Sequence, residues 1–191
     1  MGWRIVALSV LLLVILNALP GCSPPPEGSP EWYFNRADEL ASNSQYQEAI
    51  EEYSKVIEAN ATNTTRVKAY TNRAAAYIAL ERYDEAIADY TEAIILDPEC
   101  APAYTGRGAA YGAKGEYELA ITDCTTAIDI DLEQAYAYFN RGLAYKGLGN
   151  NTEAISDFEK SITLTDNLRL IERATSEIEE LSAEETTEDT E

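Results

Sequence analysis

The sequence predicts an all-α repeat array, four helix-turn-helix units stacked into a solenoid and closed by one further helix. Three observations lead there. Blocks beginning at Tyr33, Tyr70, Tyr104 and Tyr138 repeat one another at spacings of 37, 34 and 34 residues. Each block divides into two amphipathic segments separated by a short turn. The composition, 46% apolar with prolines mostly outside the patterned stretches, is that of a helical protein with a core of its own.

The elements follow in chain order. Residues 1–21 read as a targeting segment: one base, Arg4, then an apolar run from Ile5 to Leu16 that is short for a membrane span but has the length of a signal-peptide core. Leu19-Pro20-Gly21-Cys22 resembles a bacterial lipobox, with Pro20 where a small residue is usual. That resemblance implies lipidation of Cys22 as the mature N-terminus and an extracytoplasmic chain anchored to a membrane. An ordinary cleaved signal peptide, giving a secreted chain, and an uncleaved N-terminal anchor remain open. Residues 22–30 hold Pro24-Pro25-Pro26 and Pro30, an extended, semi-rigid linker.

In the first segment of each unit the tyrosine lies one turn before a small residue: Ala37, Ala74, Gly108 and Gly142. The second segment carries Ala49, Ala86, Ala120 and Ala154, followed four residues later by Tyr53, Tyr90, Cys124 and Phe158. Small against large at helical spacing makes hairpins that bury their faces only when stacked. The aromatic stripe therefore reads as core. A 34-residue period with two helices per unit resembles the tetratricopeptide repeat family, and four copies agree. The resemblance spans residues 31–166, in units of about 31–63, 67–100, 101–134 and 135–166, and implies a right-handed α-solenoid.

Gly115 and Gly149 fall between the two helices of units three and four, as helix-ending residues. Asp97-Pro98 stops the second helix of unit two. The three extra residues of the first spacing fall in Thr62 to Arg66, which predicts a longer first connection between units. Residues 167–181 pattern as a capping helix, with Leu170, Ile171, Ala174, Ile178 and Leu181 on one side. Residues 182–191, with five acids, are expected to form a disordered tail. Gly106, Gly108 and Gly112 share one helix and mark unit three as the weak point.

Arginine recurs at one place in every unit, as Arg36, Arg73, Arg107 and Arg141, and an acid recurs in the second helix, as Glu52, Asp89, Asp123 and Asp157. Each arginine is expected to pair with its own acid, partly buried and hydrogen-bonded, as a structural tie between the two helices.

The chain has 14 Lys and Arg against 34 Asp and Glu, a net charge of −20, and no histidine. Such a surface repels nucleic acid and suits a basic partner. Imidazole catalysis and imidazole metal ligation are excluded. No cofactor or metal is expected. A carboxylate-based hydrolase would need two acids converging in a pocket, and the acids here fall mostly on solvated helix faces.

The family resemblance implies a ligand groove on the concave side, lined by first-helix residues facing away from the core. Those named for the groove are Phe34, Asn35, Asp38, Lys68 and Asn72, then Tyr136, Phe139 and Asn140. Asn35, Asn72 and Asn140 hold one equivalent place, where the third unit has Gly106. Their amides suit the backbone of an extended peptide. Phe34, Tyr136 and Phe139 either accept apolar anchors or cap the stack. Family members that clamp a C-terminal carboxylate use groove cations and asparagines. Asn72 matches one of that set, but Phe34, Pro102 and Gly106 stand where the cations belong and Asp38 replaces another asparagine, so no such clamp is expected. Cys124 reads as a buried apolar thiol and Cys100 lies in a connection, with no bridge expected between them. The expected function is a non-enzymatic, membrane-tethered protein-interaction scaffold. A structural spacer or self-associating module is the alternative.

Overall fold

The computed structural model describes residues 24–59 and 61–188. The targeting segment 1–21 and the lipidation candidate Cys22 lie outside the described residues. Among the described residues there are nine α-helices and no strand. They are α1 (Pro30–Ser42), α2 (Tyr46–Glu58), α3 (Asn63–Ala79), α4 (Tyr83–Leu96) and α5 (Ala101–Ala113). Then come α6 (Tyr117–Ile130), α7 (Ala135–Gly147), α8 (Asn151–Thr163) and α9 (Leu168–Glu188). None of them is long and apolar enough to cross a membrane.

The small-large alternation builds the hairpins. Ala49, Ala86, Ala120 and Ala154 are all fully buried, and the groups that follow them, Tyr53, Tyr90, Cys124 and Phe158, are buried too. At Gly108 an added Cβ would lie 2.6 Å from Cys124 Sγ, and at Gly142 it would lie 2.8 Å from the Phe158 ring. The backbones of the paired helices approach through these glycines, and the large group of the second helix closes over the gap. Burial of each such side chain stabilises the fold by roughly 1.5–3 kcal/mol.

Consecutive helices pack on one another along the whole chain. The first helices also touch in series, α1 on α3, α3 on α5 and α5 on α7, whereas the second helices make no comparable contacts among themselves. A curved stack results, an α-solenoid with α1, α3, α5 and α7 on its inner side.

Each hairpin turns at the same place, where Ser44, Glu81, Gly115 and Gly149 have φ of 60°, 58°, 79° and 76°. The left-handed turn is thus a property of the unit, filled by glycine twice and by an ordinary residue twice. Ser29 caps α1 by accepting from the Trp32 amide at 3.2 Å, and Thr62 caps α3 the same way from Thr65. Pro30 opens α1, where its missing N–H leaves nothing unpaired.

Two boundaries differ from the sequence expectation. The first connection between units, 59–62, is no longer than 97–100 or 131–134, because the extra residues lengthen α3 to 17 residues. The Thr62 cap starts the helix one turn early. At the C-terminus α9 runs on to Glu188, past the expected end at 181. Residues 182–188 contain no glycine or proline to stop it. Leu170, Ala174 and Leu181 of α9 close the core cluster of the last unit against Phe139, Ala154 and Phe158.

Candidate functional site

The arginines tie three helices at a time. Arg73 donates to Asp89 through Nε and Nη2, both at 2.7 Å. Arg107 and Arg141 do the same to Asp123 and Asp157, at 2.7 and 2.9 Å in each case. The remaining nitrogen reaches back to a hydroxyl on the second helix of the preceding unit: Ser54 at 2.8 Å, Thr91 at 3.1 Å and Thr125 at 3.1 Å. Hydrogen bonds donated to Asp123 and Asp157 hold the Arg107 and Arg141 guanidinium groups even further into the charged form. The guanidinium groups also lie over the tyrosines of their own helices, Tyr70, Tyr104 and Tyr138. The hydroxyl partner escaped the sequence reading, although Ser54, Thr91 and Thr125 recur directly after the large second-helix residue.

Unit one departs from this pattern. Arg36 approaches Glu52 only to 3.5 Å and is half exposed, and no hydrogen bond joins them. Its guanidinium stacks on Trp32 at 5.2 Å, while Glu52 takes Lys55 at 2.9 Å and leaves Oε2 buried without a partner. Unit one has glutamate where the others have aspartate, and among the described residues no second helix precedes it to supply a hydroxyl.

On the inner side, α1 places Asp38, and α3 places Lys68 and Asn72, along an open groove. The Tyr53 hydroxyl donates to Asp38 Oδ1, and Asn72 Nδ2 donates to the same oxygen at 3.0 Å. Asp38 and Asn72 therefore bridge units one and two at the groove floor, with Asn72 Oδ1 left as an acceptor. Burial and the neighbouring Asp38 push the Tyr53 phenol upward, so it stays protonated. A cavity of about 470 Å³ follows towards α5, lined by Val67, Lys68, Thr71, Asn72, Leu96 and Pro102. Lys68 is exposed and makes no ion pair with any described residue.

Other groove candidates are placed as follows. Asn35 is exposed beside Trp32 and Arg36, where Pro24 and Pro25 of the linker also lie. Phe34 is half buried, edge-on to Tyr53 at 5.8 Å. Asn140 is half buried on α7. Tyr136 is 49% exposed and its hydroxyl accepts from Asn167 at 3.1 Å. Phe139 is not available to a ligand. It is 1% exposed, packed on Phe158 and covered by Arg173 at 4.7 Å. The α9 helix occupies that end of the array, and Phe139 caps the stack.

Models of the tetratricopeptide repeat match residues 67–100 and 135–166, and also 30–63, with a related repeat model over 110–149. Rat serine/threonine-protein phosphatase 5 is 38% identical over 85 residues, 40% of this chain. The chain spans only 16% of that curated relative's length. Among solved structures, the MamA protein superposes with a TM-score of 0.62 at 28% identity, over 72% of this chain and 73% of its own. The first repeat domain of Spaghetti (RPAP3), solved bound to the HSP90 peptide SRMEEVD, gives 0.58 at 28% identity, over 63% of this chain and 94% of its own. With four hairpins of matching geometry, matched by repeat models through nearly all of residues 30–166, this chain belongs to the tetratricopeptide repeat family.

Proposed function

We propose that the chain is a non-enzymatic adaptor that holds an extended segment of another protein in its inner groove, tethered outside the cytoplasm by lipidated Cys22. The observation that carries the reading is the open cavity between α3 and α5, with apolar walls and a free cation, Lys68, at its edge. A similar repeat domain holds a peptide, which supports the same use of the fold here. The net charge of −20 favours a partner of basic character. The HSP90-type acidic tail is not the proposed ligand, because Pro102 and Gly106 supply no cation for a terminal carboxylate.

A photo-crosslinking residue placed at Lys68, and in a control at the exposed Glu92 of α4, tests the groove in native membranes. Partner peptides captured from position 68 and absent from position 92 support the adaptor reading. Capture from position 92 alone would move the interface to the outer face, and crosslinks only to a second copy of the chain would favour self-association. Membrane fractionation of Cys22→Ser tests the anchor: release into the soluble fraction is expected, and retention would sink the lipid tether.

A further inference from the structure

Tyr53 and Tyr90 hold the same place in units one and two, yet their hydroxyls meet different surroundings. Tyr53 reaches the groove floor and finds Asp38 of its own unit and Asn72 of the next. One unit further along, the corresponding places are Ala75 and Gly106, which offer no polar side chain. The Tyr90 ring occupies the space where a side chain at Gly106 would begin. A Cβ there would lie 2.5 Å from Tyr90 Cε1, and closer still to Cζ and Oη. The glycine that interrupts the asparagine series is the opening through which the phenol passes.

Tyr90 is 4% exposed, and its hydroxyl has no hydrogen-bond partner among the described residues. The ring is buried while the hydroxyl oxygen keeps a small contact with solvent, so it stays open to a partner from outside the chain. Phe158 fills the equivalent place in unit four with no hydroxyl at all, so the packing does not require one. On the same turn of α5 as Gly106 the Thr105 hydroxyl is fully buried without a partner, whereas Thr71, its equivalent, donates to the Val67 carbonyl at 2.9 Å. The fold thus leaves both hydroxyls without a partner among the described residues.

We propose that Tyr90 is a ligand-binding residue whose hydroxyl, passing through the gap at Gly106, donates to a main-chain carbonyl of a bound extended peptide. The peptide's adjoining side chain fills the cavity between Val67, Leu96 and Pro102. That side chain is apolar and neutral, because the cavity walls are apolar and its rim carries one base, Lys68, and one acid, Asp97. Burial pushes the Tyr90 phenol well above its ordinary value, which keeps it a proton donor across the physiological range. The proposal rests on the groove reading above and adds its recognition chemistry.

The test uses the full-length chain in a mild non-ionic detergent and a random decapeptide library displayed on phage. Peptides enriched on the wild type are measured against Tyr90→Phe and against Ala75→Arg, an exposed position whose new side chain obstructs the groove. The expected result is enrichment of Leu, Ile or Val at one position and binding to Tyr90→Phe weakened about three- to tenfold, the contribution of one neutral hydrogen bond. The melting temperature of Tyr90→Phe should stay level or rise. Binding lost in Ala75→Arg but unchanged in Tyr90→Phe would overturn the hydrogen bond and leave the groove standing. Binding unchanged in both would overturn the groove as well. A fall in the melting temperature of Tyr90→Phe would show the hydroxyl to be structural, and no enriched peptide at all would also overturn the proposal.

Discussion

Arg107 holds Asp123 of its own unit through two hydrogen bonds, at 2.7 and 2.9 Å, and both side chains are largely buried. With Thr91 as a third contact, one guanidinium joins α4, α5 and α6. Asp123→Ala strands that guanidinium, and a loss of about 3–5 kcal/mol is expected. Arg36→Ala removes a half-exposed charge with no hydrogen bond to its acid, and should change stability by about 0.5 kcal/mol or less. Urea unfolding of the two variants beside the wild type checks the contrast. Equal losses would show that exposure does not separate these pairs.

Gly106 and Gly112 lie on one helix but should respond oppositely to alanine. At Gly106 the added methyl meets the Tyr90 ring, and overpacking of this kind costs about 1–3 kcal/mol. At Gly112 the nearest atom is Ala120 Cβ at 3.8 Å, ordinary contact. There the helix-propensity gain of about 1 kcal/mol should appear undiminished. Thermal melts of Gly106→Ala and Gly112→Ala settle the sign at each position.

Glu81 and Ser44 adopt φ of 58° and 60° at the turn where units three and four use glycine. Relief of the left-handed backbone predicts that Glu81→Gly raises stability by roughly 1 kcal/mol, less the entropy a glycine adds to the unfolded chain. Ser44→Gly should act in the same direction. A lowered urea midpoint for both would show that the turn tolerates an L-residue without strain.

Cys124 is fully buried, and burial pushes its thiol up to about 12, so almost no thiolate exists at pH 8. Cys100 is only half buried. Iodoacetamide at pH 8 should label Cys100 in the native chain and label Cys124 only after unfolding, as read by peptide mass mapping. Labelling of both at equal rates would mean that unit three opens readily.

The helical repeat, its period and its alternation of small and large residues were legible because they are local patterns, written four times. Arg73, Arg107 and Arg141 with their acids were legible for the same reason, since each pair sits within one unit. Ser54, Thr91 and Thr125 recur just as regularly. They were overlooked because the contact they make crosses into the next unit. Arg36 shows the converse: the repeat extends to it, but among the described residues no neighbour precedes unit one to complete the tie.

Phe139 and Gly106 mark where sequence reasoning reached its end. Equivalence by position put Phe139 on the groove, and its burial follows from α9, whose packing against the last unit is a long-range contact that no periodicity reports. Gly106 read as a weak point in a helix, and its role follows from Tyr90, a residue of the preceding unit. Local spacing specifies which face of each helix is apolar, because that depends only on turns of a single helix. Which of those faces remains open depends on what stacks beside it, and that is decided when the units come together.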